Sequence, residues 1–236
     1  MSLSKSFILF AILYLAVNSA EVPKIKVYVE SLCPGCMGFV TGAFKTFNSN
    51  ESRAQLAEVE ILSYGNAYEK YDSQNKKWIF TCQHGQRECY GNLIETCADH
   101  YLGGGDKSHT FLICVEQYLS KNSYYNFDDL VRACVKADVA SQIITCANNS
   151  EGNSLMHEVA QKTGAHKYVP WIEVNGVHDD NVQDAIYSNM VGYLCKIGGF
   201  IGKLPGCPKR MVEEETLKSS TEGYCPKEES HLKFLE

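Results

Sequence analysis

The chain has 236 residues, 44% of them hydrophobic, and a formal net charge of −6. Such a composition can bury a full core and is neither disordered nor fibrous. With no block of lysine or arginine, it lacks the electrostatic footprint of a nucleic-acid or anionic-lipid binder, so no nucleic acid is expected as a partner.

From the N-terminus, Lys5 precedes an apolar run from Phe7 to Val17 that ends in the small residues Ser19 and Ala20. This reads as a secretory signal peptide over residues 1–20. A membrane span needs about 20 apolar residues, and no second long run follows, so no membrane span is expected. Entry into the secretory route implies that many of the eleven cysteines form disulfides. The sequons Asn50-Glu51-Ser52 and Asn148-Asn149-Ser150 mark Asn50 and Asn148 as glycan acceptors.

The stretch from Lys24 to Phe47 carries the chemistry. Ile25, Val27 and Val29 alternate as in a half-buried strand, then Cys33-Pro34-Gly35-Cys36 leads into Met37, Val40, Phe44 and Phe47 at helical spacing. Both cysteines therefore sit where a helix begins, and residues three apart there are close enough to be bonded. The unpaired N–H groups and positive dipole end of the helix favour a thiolate at its first turn, which makes Cys33 the candidate nucleophile and Cys36 its partner. Pro34 suits a first turn because it has no N–H to leave unpaired, and Gly35 leaves the approach to the sulfurs open. A permanent structural disulfide or half of a metal site are the competing readings of the same pair.

Further on, Glu58 to Leu62 is expected as a strand, Ser63 to Lys77 as a polar loop, and Trp78 to Phe80 as a short strand or hairpin arm. Cys82 to Cys146 lacks strand patterning and reads as short helices held by cysteines. Within it, helices are expected over His109 to Ser120 and over Leu130 to Ala137, the latter opened by Asn126-Phe127-Asp128-Asp129 with acids in its first turn, with Gly103-Gly104-Gly105 as a linker. Ser154 to Thr163 is predicted helical, with His157 facing solvent. Tyr168 to Val177 reads as strand, turn, strand around Asn175-Gly176, and a last helix spans about Val182 to Lys196. From Gly198 onward the chain is Gly-, Pro- and charge-rich, with Cys207 and Cys225 as tethers.

Strand, CxxC, helix, strand, helical insert, helix, hairpin, helix is the order of an α/β fold. It matches a thioredoxin-like core over residues 21–200 with a cysteine-rich helical insertion at about 82–147, followed by a tail, 201–236. In that topology Pro170 stands where a cis-proline faces the two cysteines, and the backbone of Val169 pairs with an extended substrate. Setting Cys33 and Cys36 aside leaves nine cysteines, an odd number. One is then free, joins two chains or is lost with a processed segment, and Cys225 is the first candidate for a disulfide-linked homodimer.

The segment Cys82-Gln83-His84-Gly85-Gln86-Arg87-Glu88-Cys89-Tyr90-Gly91-Asn92-Leu93-Ile94-Glu95-Thr96-Cys97 closely resembles the signature of the gamma-interferon-inducible lysosomal thiol reductase family. The likeness extends over about Ile25 to Ile197. It implies a glycosylated thiol-disulfide oxidoreductase, lysosomal or secreted, with a tail trimmed on maturation. Such an enzyme uses Cys33 and Cys36 without a cofactor to reduce disulfide-containing protein substrates at acid pH, with electrons from a small-thiol or protein donor. Cys82, Cys89, Cys97, Cys114, Cys134 and Cys146 are expected as structural disulfides of open pairing rather than metal ligands, against a competing zinc site at Cys82, His84 and Cys89. A lumenal thiol oxidase or isomerase, or a non-enzymatic cysteine-rich binding module, remain as alternatives.

Overall fold

The computed structural model describes residues 21–210 and 223–227, so the expected signal segment lies outside the described residues. The chain opens on β1 (Lys24–Val29), whose alternating Ile25, Val27 and Val29 are buried as predicted. It then passes through Cys33 into α1 (Pro34–Phe39), a π-helical turn over Val40–Phe44, and α2 (Lys45–Asn48). Phe39, Val40, Phe44 and Phe47 from these pieces enter the core around the sheet, whereas Met37 packs against the helical insert.

The short α3 (Arg53–Leu56) leads to β2 (Glu58–Ser63), and a hairpin follows, made of β3 (Tyr68–Asp72) and β4 (Lys77–Thr81). The polar stretch expected as a loop thus contributes a strand. Tyr71 meets Trp78 across the hairpin at 5.1 Å between ring centroids, and Tyr64 and Ala67 are buried beside Phe80.

The cysteine-rich stretch is helical, as predicted: α4 (Gln86–Leu102), α5 (Gly105–Leu119), α6 (Phe127–Cys134) and α7 (Ala137–Ala147), followed by α8 (Ser150–Lys162). α6 begins within the expected opening, where the Asn126 side chain accepts from the amides of Asp128 and Asp129 and so fixes the first turn, and it stops at Cys134, short of Ala137. Gly103 and Gly104, at φ 80° and 70°, make the break between α4 and α5. Ile94, Phe111, Val115, Leu119, Leu130 and Ile143 give these helices a core of their own. Three disulfides close inside it or at its edge: Cys82–Cys89, Cys97–Cys146 and Cys114–Cys134. His157 on α8 is not solvent-facing: its ring stacks on Trp78 at 3.8 Å and its Nδ1 lies 2.8 Å from Glu69 Oε1.

The chain returns through β5 (Tyr168–Val169) and β6 (Trp171–Val174), with β1 as the central strand of the main sheet: parallel to β2 on one side, antiparallel to β6 on the other. Asn175 and Gly176, at φ 52° and 78°, form the tight turn, but the strand expected after it shrinks to a single bridge between Val174 and Val177. α9 (Asp180–Ile197) is capped by the Asp179 side chain. The following segment is not loose, since Phe200, Ile201 and Leu204 pack on the sheet core and Cys207 bonds to Cys195. Last comes β7 (Cys225–Pro226), paired antiparallel with β5.

Loop-closure entropy ranks the insert's disulfides by the chain each encloses, with sequence separations of 49, 20 and 7 for Cys97–Cys146, Cys114–Cys134 and Cys82–Cys89. Replacing both cysteines of a pair by alanine should cost about 4, 3 and 2 kcal/mol in that order. Urea denaturation of the three double variants measures this; equal losses would mean that packing rather than chain entropy dominates.

Candidate active site

Cys33 is the N-cap residue of α1, in extended conformation with Pro34 at the first helical position, and its carbonyl accepts the Met37 amide at 2.9 Å. Cys36 lies within the same first turn and is buried. Opposite them, the Val169–Pro170 peptide is cis, and the Cys33 Sγ lies 3.8 Å from the Val169 carbonyl oxygen. The fold therefore brings together Cys33, Cys36, Val169 and Pro170, which are far apart in the chain.

The sulfurs are not paired as expected. Cys33 is bonded to Cys225, with 6.2 Å between their Cα atoms, and Cys36 is the free cysteine. Cys225 is consequently no candidate for a bridge between chains in this state, and the odd thiol is a buried one. Spacing alone pointed to Cys36 as the partner of Cys33; the tail reaches Cys33 because β7 pairs with β5 at its side.

Carboxyl groups stand behind the cysteines. Burial, reinforced by the charge of Glu88, pushes Glu30 up to about 8. Burial likewise raises Glu88, whose Oε2 lies 2.6 Å from His84 Nδ1, while Glu30 Oε1 is 3.6 Å from the same nitrogen. Further along α4, burial takes Glu95 up to about 7, and burial with the adjacent Glu95 raises Glu116 well above the carboxylate range. Cys36 feels this surrounding: burial, then the charge of Glu30, holds its thiol well above the ordinary value.

The signature motif thereby gains a structural meaning. His84 and Glu88 join the acid cluster, and buried Asn92 accepts the Ser31 amide at 2.8 Å, just before Cys33. A side chain at Gly91 would run into Ser31 and Phe127, so α4 passes the loop at backbone distance. Gln83 accepts from Asn66 Nδ2 and donates to the Pro226 carbonyl, both at 2.8 Å. The zinc alternative fails, because Cys82 and Cys89 are bonded to each other. Glu30, His84 and Cys225 offer ligand atoms within 4.8 Å of one another, but the Cys225 sulfur is held in its disulfide.

Glu30, Asn66 and Gln83 escaped the sequence reading as site residues. The available signal was an acid closing an apolar strand three residues before Cys33, and a Glu88/Glu95 pair two helical turns apart on one face of α4. Of the sequon residues, Asn50 donates to the Gly206 carbonyl, and Asn148 Nδ2 donates to both Tyr90 Oη and the Ile144 carbonyl.

Comparison with known proteins bears on the family of the whole chain. A family model described as gamma interferon inducible lysosomal thiol reductase matches residues 24–138. A protein of that name from Carassius auratus is 34% identical over 88% of this chain and 78% of its own, and one from Mus musculus is 34% identical over 64% and 60%. GILT-like protein 1 of Drosophila melanogaster is 30% identical over 77% of this chain and 76% of its own. On that likeness, which runs well beyond the signature into the sheet and α9, the chain belongs to the gamma-interferon-inducible lysosomal thiol reductase family.

Proposed function

We propose that this protein reduces disulfide bonds in polypeptide substrates at acid pH, with Cys33 as attacking thiolate and Cys36 as resolving thiol on a thioredoxin-like core. The observation that carries the reading is the position of Cys33 at the start of α1, 3.8 Å from the Val169 carbonyl, with Cys36 one turn behind. The names of the relatives support the reaction class. Central β1 flanked by parallel β2 and antiparallel β6 supports the thioredoxin-like description of residues 21–200, with the helical insertion at about 82–147.

In the reaction the Cys33 thiolate attacks one sulfur of a substrate disulfide and expels the other as a thiolate. Cys36 then attacks the Cys33 sulfur, and reduced substrate leaves behind a Cys33–Cys36 disulfide that two electrons from a thiol donor reopen. At pH ~5 a thiol of pKa ~8.5 is only about 0.03% ionised, whereas one lowered to ~5 is about half ionised. The lower basicity costs roughly 40-fold in nucleophilicity, against a gain of roughly 1,600-fold in thiolate. The acid cluster favours the same pH range. Glu30 and Glu95, at about 8 and about 7, hold their protons in acid and set no negative charge beside the sulfurs.

A secreted or lysosomal destination, cleavage after Ser19 or Ala20, and glycans on Asn50 and Asn148 complete the proposal. Among the described residues no helix is long and apolar enough to cross a membrane. That observation is compatible with a lumenal enzyme.

Two measurements test this reading. Cys33→Ser should lower reduction of a labelled protein disulfide at pH 5 by at least about 1,000-fold, and Cys36→Ser should accumulate a covalent enzyme-substrate adduct visible on a non-reducing gel; full activity of Cys33→Ser would remove the assignment. The second follows from linkage. Glu30 and Glu95 are raised in the folded state, so the native chain binds protons that the unfolded chain releases near the usual carboxylate value. Their stabilisation is complete below about 4.5 and is lost as pH rises toward 8. Buried His109 and His166 are lowered and oppose the trend below their usual value of 6.5, so the clean window is pH 6.5 to 8. Across it Tm should fall by about 5 °C, and a Glu30→Gln, Glu95→Gln double variant should flatten the slope; an unchanged slope would mean that these carboxyls do not titrate there.

A further inference from the structure

We propose that residues 223–227 occupy the substrate groove as an internal ligand, joined to Cys33 as a substrate is in the mixed disulfide, and that they mark the preferred substrate as an extended segment with an aromatic residue directly before its cysteine. The inference rests on the reductase reading of Cys33 and adds the groove, its occupant and its specificity.

The segment is held as an extended polypeptide would be. Cys225 lies opposite Val169 and Pro226 opposite Tyr168 in antiparallel register, and the Lys227 amide donates to the Lys167 carbonyl at 2.8 Å. Asn66 Nδ2 donates to the Cys225 carbonyl at 2.9 Å, and Gln83 Nε2 to that of Pro226 at 2.8 Å. These contacts engage main chain, so they place any sequence; β-strand addition of this kind gives affinity without choosing side chains.

Choice enters at Tyr224. Its ring stacks on Tyr168 at 5.0 Å with planes 12° apart and meets the Tyr187 ring edge-on at 5.3 Å, while its hydroxyl lies 3.4 Å from Asp184 Oδ1. Tyr187 in turn donates to the Gly35 carbonyl at 3.2 Å, so the aromatic slot is built against the CxxC turn itself. The close approach is set by the turn: a Cβ on Gly35 would stand 2.5 Å from the Gly223 carbonyl oxygen, so the ligand crosses a bare Gly35 backbone to backbone, and at Gly223 it is the φ of 102° that favours glycine.

Release needs no outside oxidant or reductant. The Cys36 thiol gives up its proton and attacks the Cys33 sulfur; the Cys33–Cys36 bond forms as Cys33–Cys225 breaks, and Cys225 departs as a thiolate that takes up a proton. The exchange is redox-neutral. A dithiol then reduces Cys33–Cys36 and is itself oxidised, leaving the groove open and both active cysteines reduced. Burial of Cys36 holds it as a thiol, which keeps the internal ligand in place until the first exchange.

The test uses the full chain purified without reductant. Peptide mapping by mass spectrometry should find Cys33 joined to Cys225, with Cys36 alkylated only after unfolding. With dithiothreitol as donor, reduction of a disulfide-linked reporter peptide should begin after a lag that Cys225→Ser removes. Pre-reduced protein should prefer a Tyr-Cys over an Ala-Cys reporter by about 10-fold in kcat/KM, and Tyr168→Ala should lose that preference through KM with kcat held. A mapped Cys33–Cys36 bond, a lag that survives in Cys225→Ser, or equal use of both reporters by an active enzyme overturns the inference alone. Inactivity of both pre-reduced wild type and Cys225→Ser on both reporters overturns the reductase reading beneath it.

Discussion

The hydrogen bond from the Ser31 amide to Asn92 is the constraint on which the site depends. It ties the exit of β1, two residues before Cys33, to a helix of the insert. Ser31 lies beyond the end of β1 and is buried, and a buried amide without a partner costs about 1–3 kcal/mol. Asn92 supplies the partner, with Gly91 letting the helix approach closely enough to do so. α4 therefore helps to set where the loop carrying Cys33 lies, and the signature motif reaches that loop through Asn92 and the tail segment through Gln83.

The same helix brings Glu88 and Glu95 into a low-dielectric space that already holds Glu30 and Glu116. Charge there is expensive, so the carboxyls keep protons to unusually high pH, and a thiolate near them is least opposed when the surroundings are acidic. One group of residues thus draws stability toward the acid end of the pH scale, the range in which the proposed reaction would run.

Much of this was legible locally. The alternation of β1, the Cys33 helix start, the Asn175-Gly176 turn and the helical character of the insert follow from near neighbours, and so did the placing of Pro170 once strand order was read. What failed depended on distant packing. Glu30 looks like a polar strand end until α4 covers it, and Tyr71 looks like a loop residue until Trp78 faces it. His157 looks exposed until the hairpin supplies a ring and a carboxylate. Cys225 lies 192 residues from Cys33, and nothing in its own surroundings names its partner.

That distance has a consequence for biosynthesis. A ribosome delivers Cys36 immediately after Cys33, whereas Cys225 arrives only when almost the whole chain has been made. The disulfides of the insert can close while elongation continues, because each joins residues no more than 49 apart. Any bond that Cys33 makes in that interval must be surrendered before residues 223–227 can take its place, so pairing with Cys225 is a late event in the making of the protein.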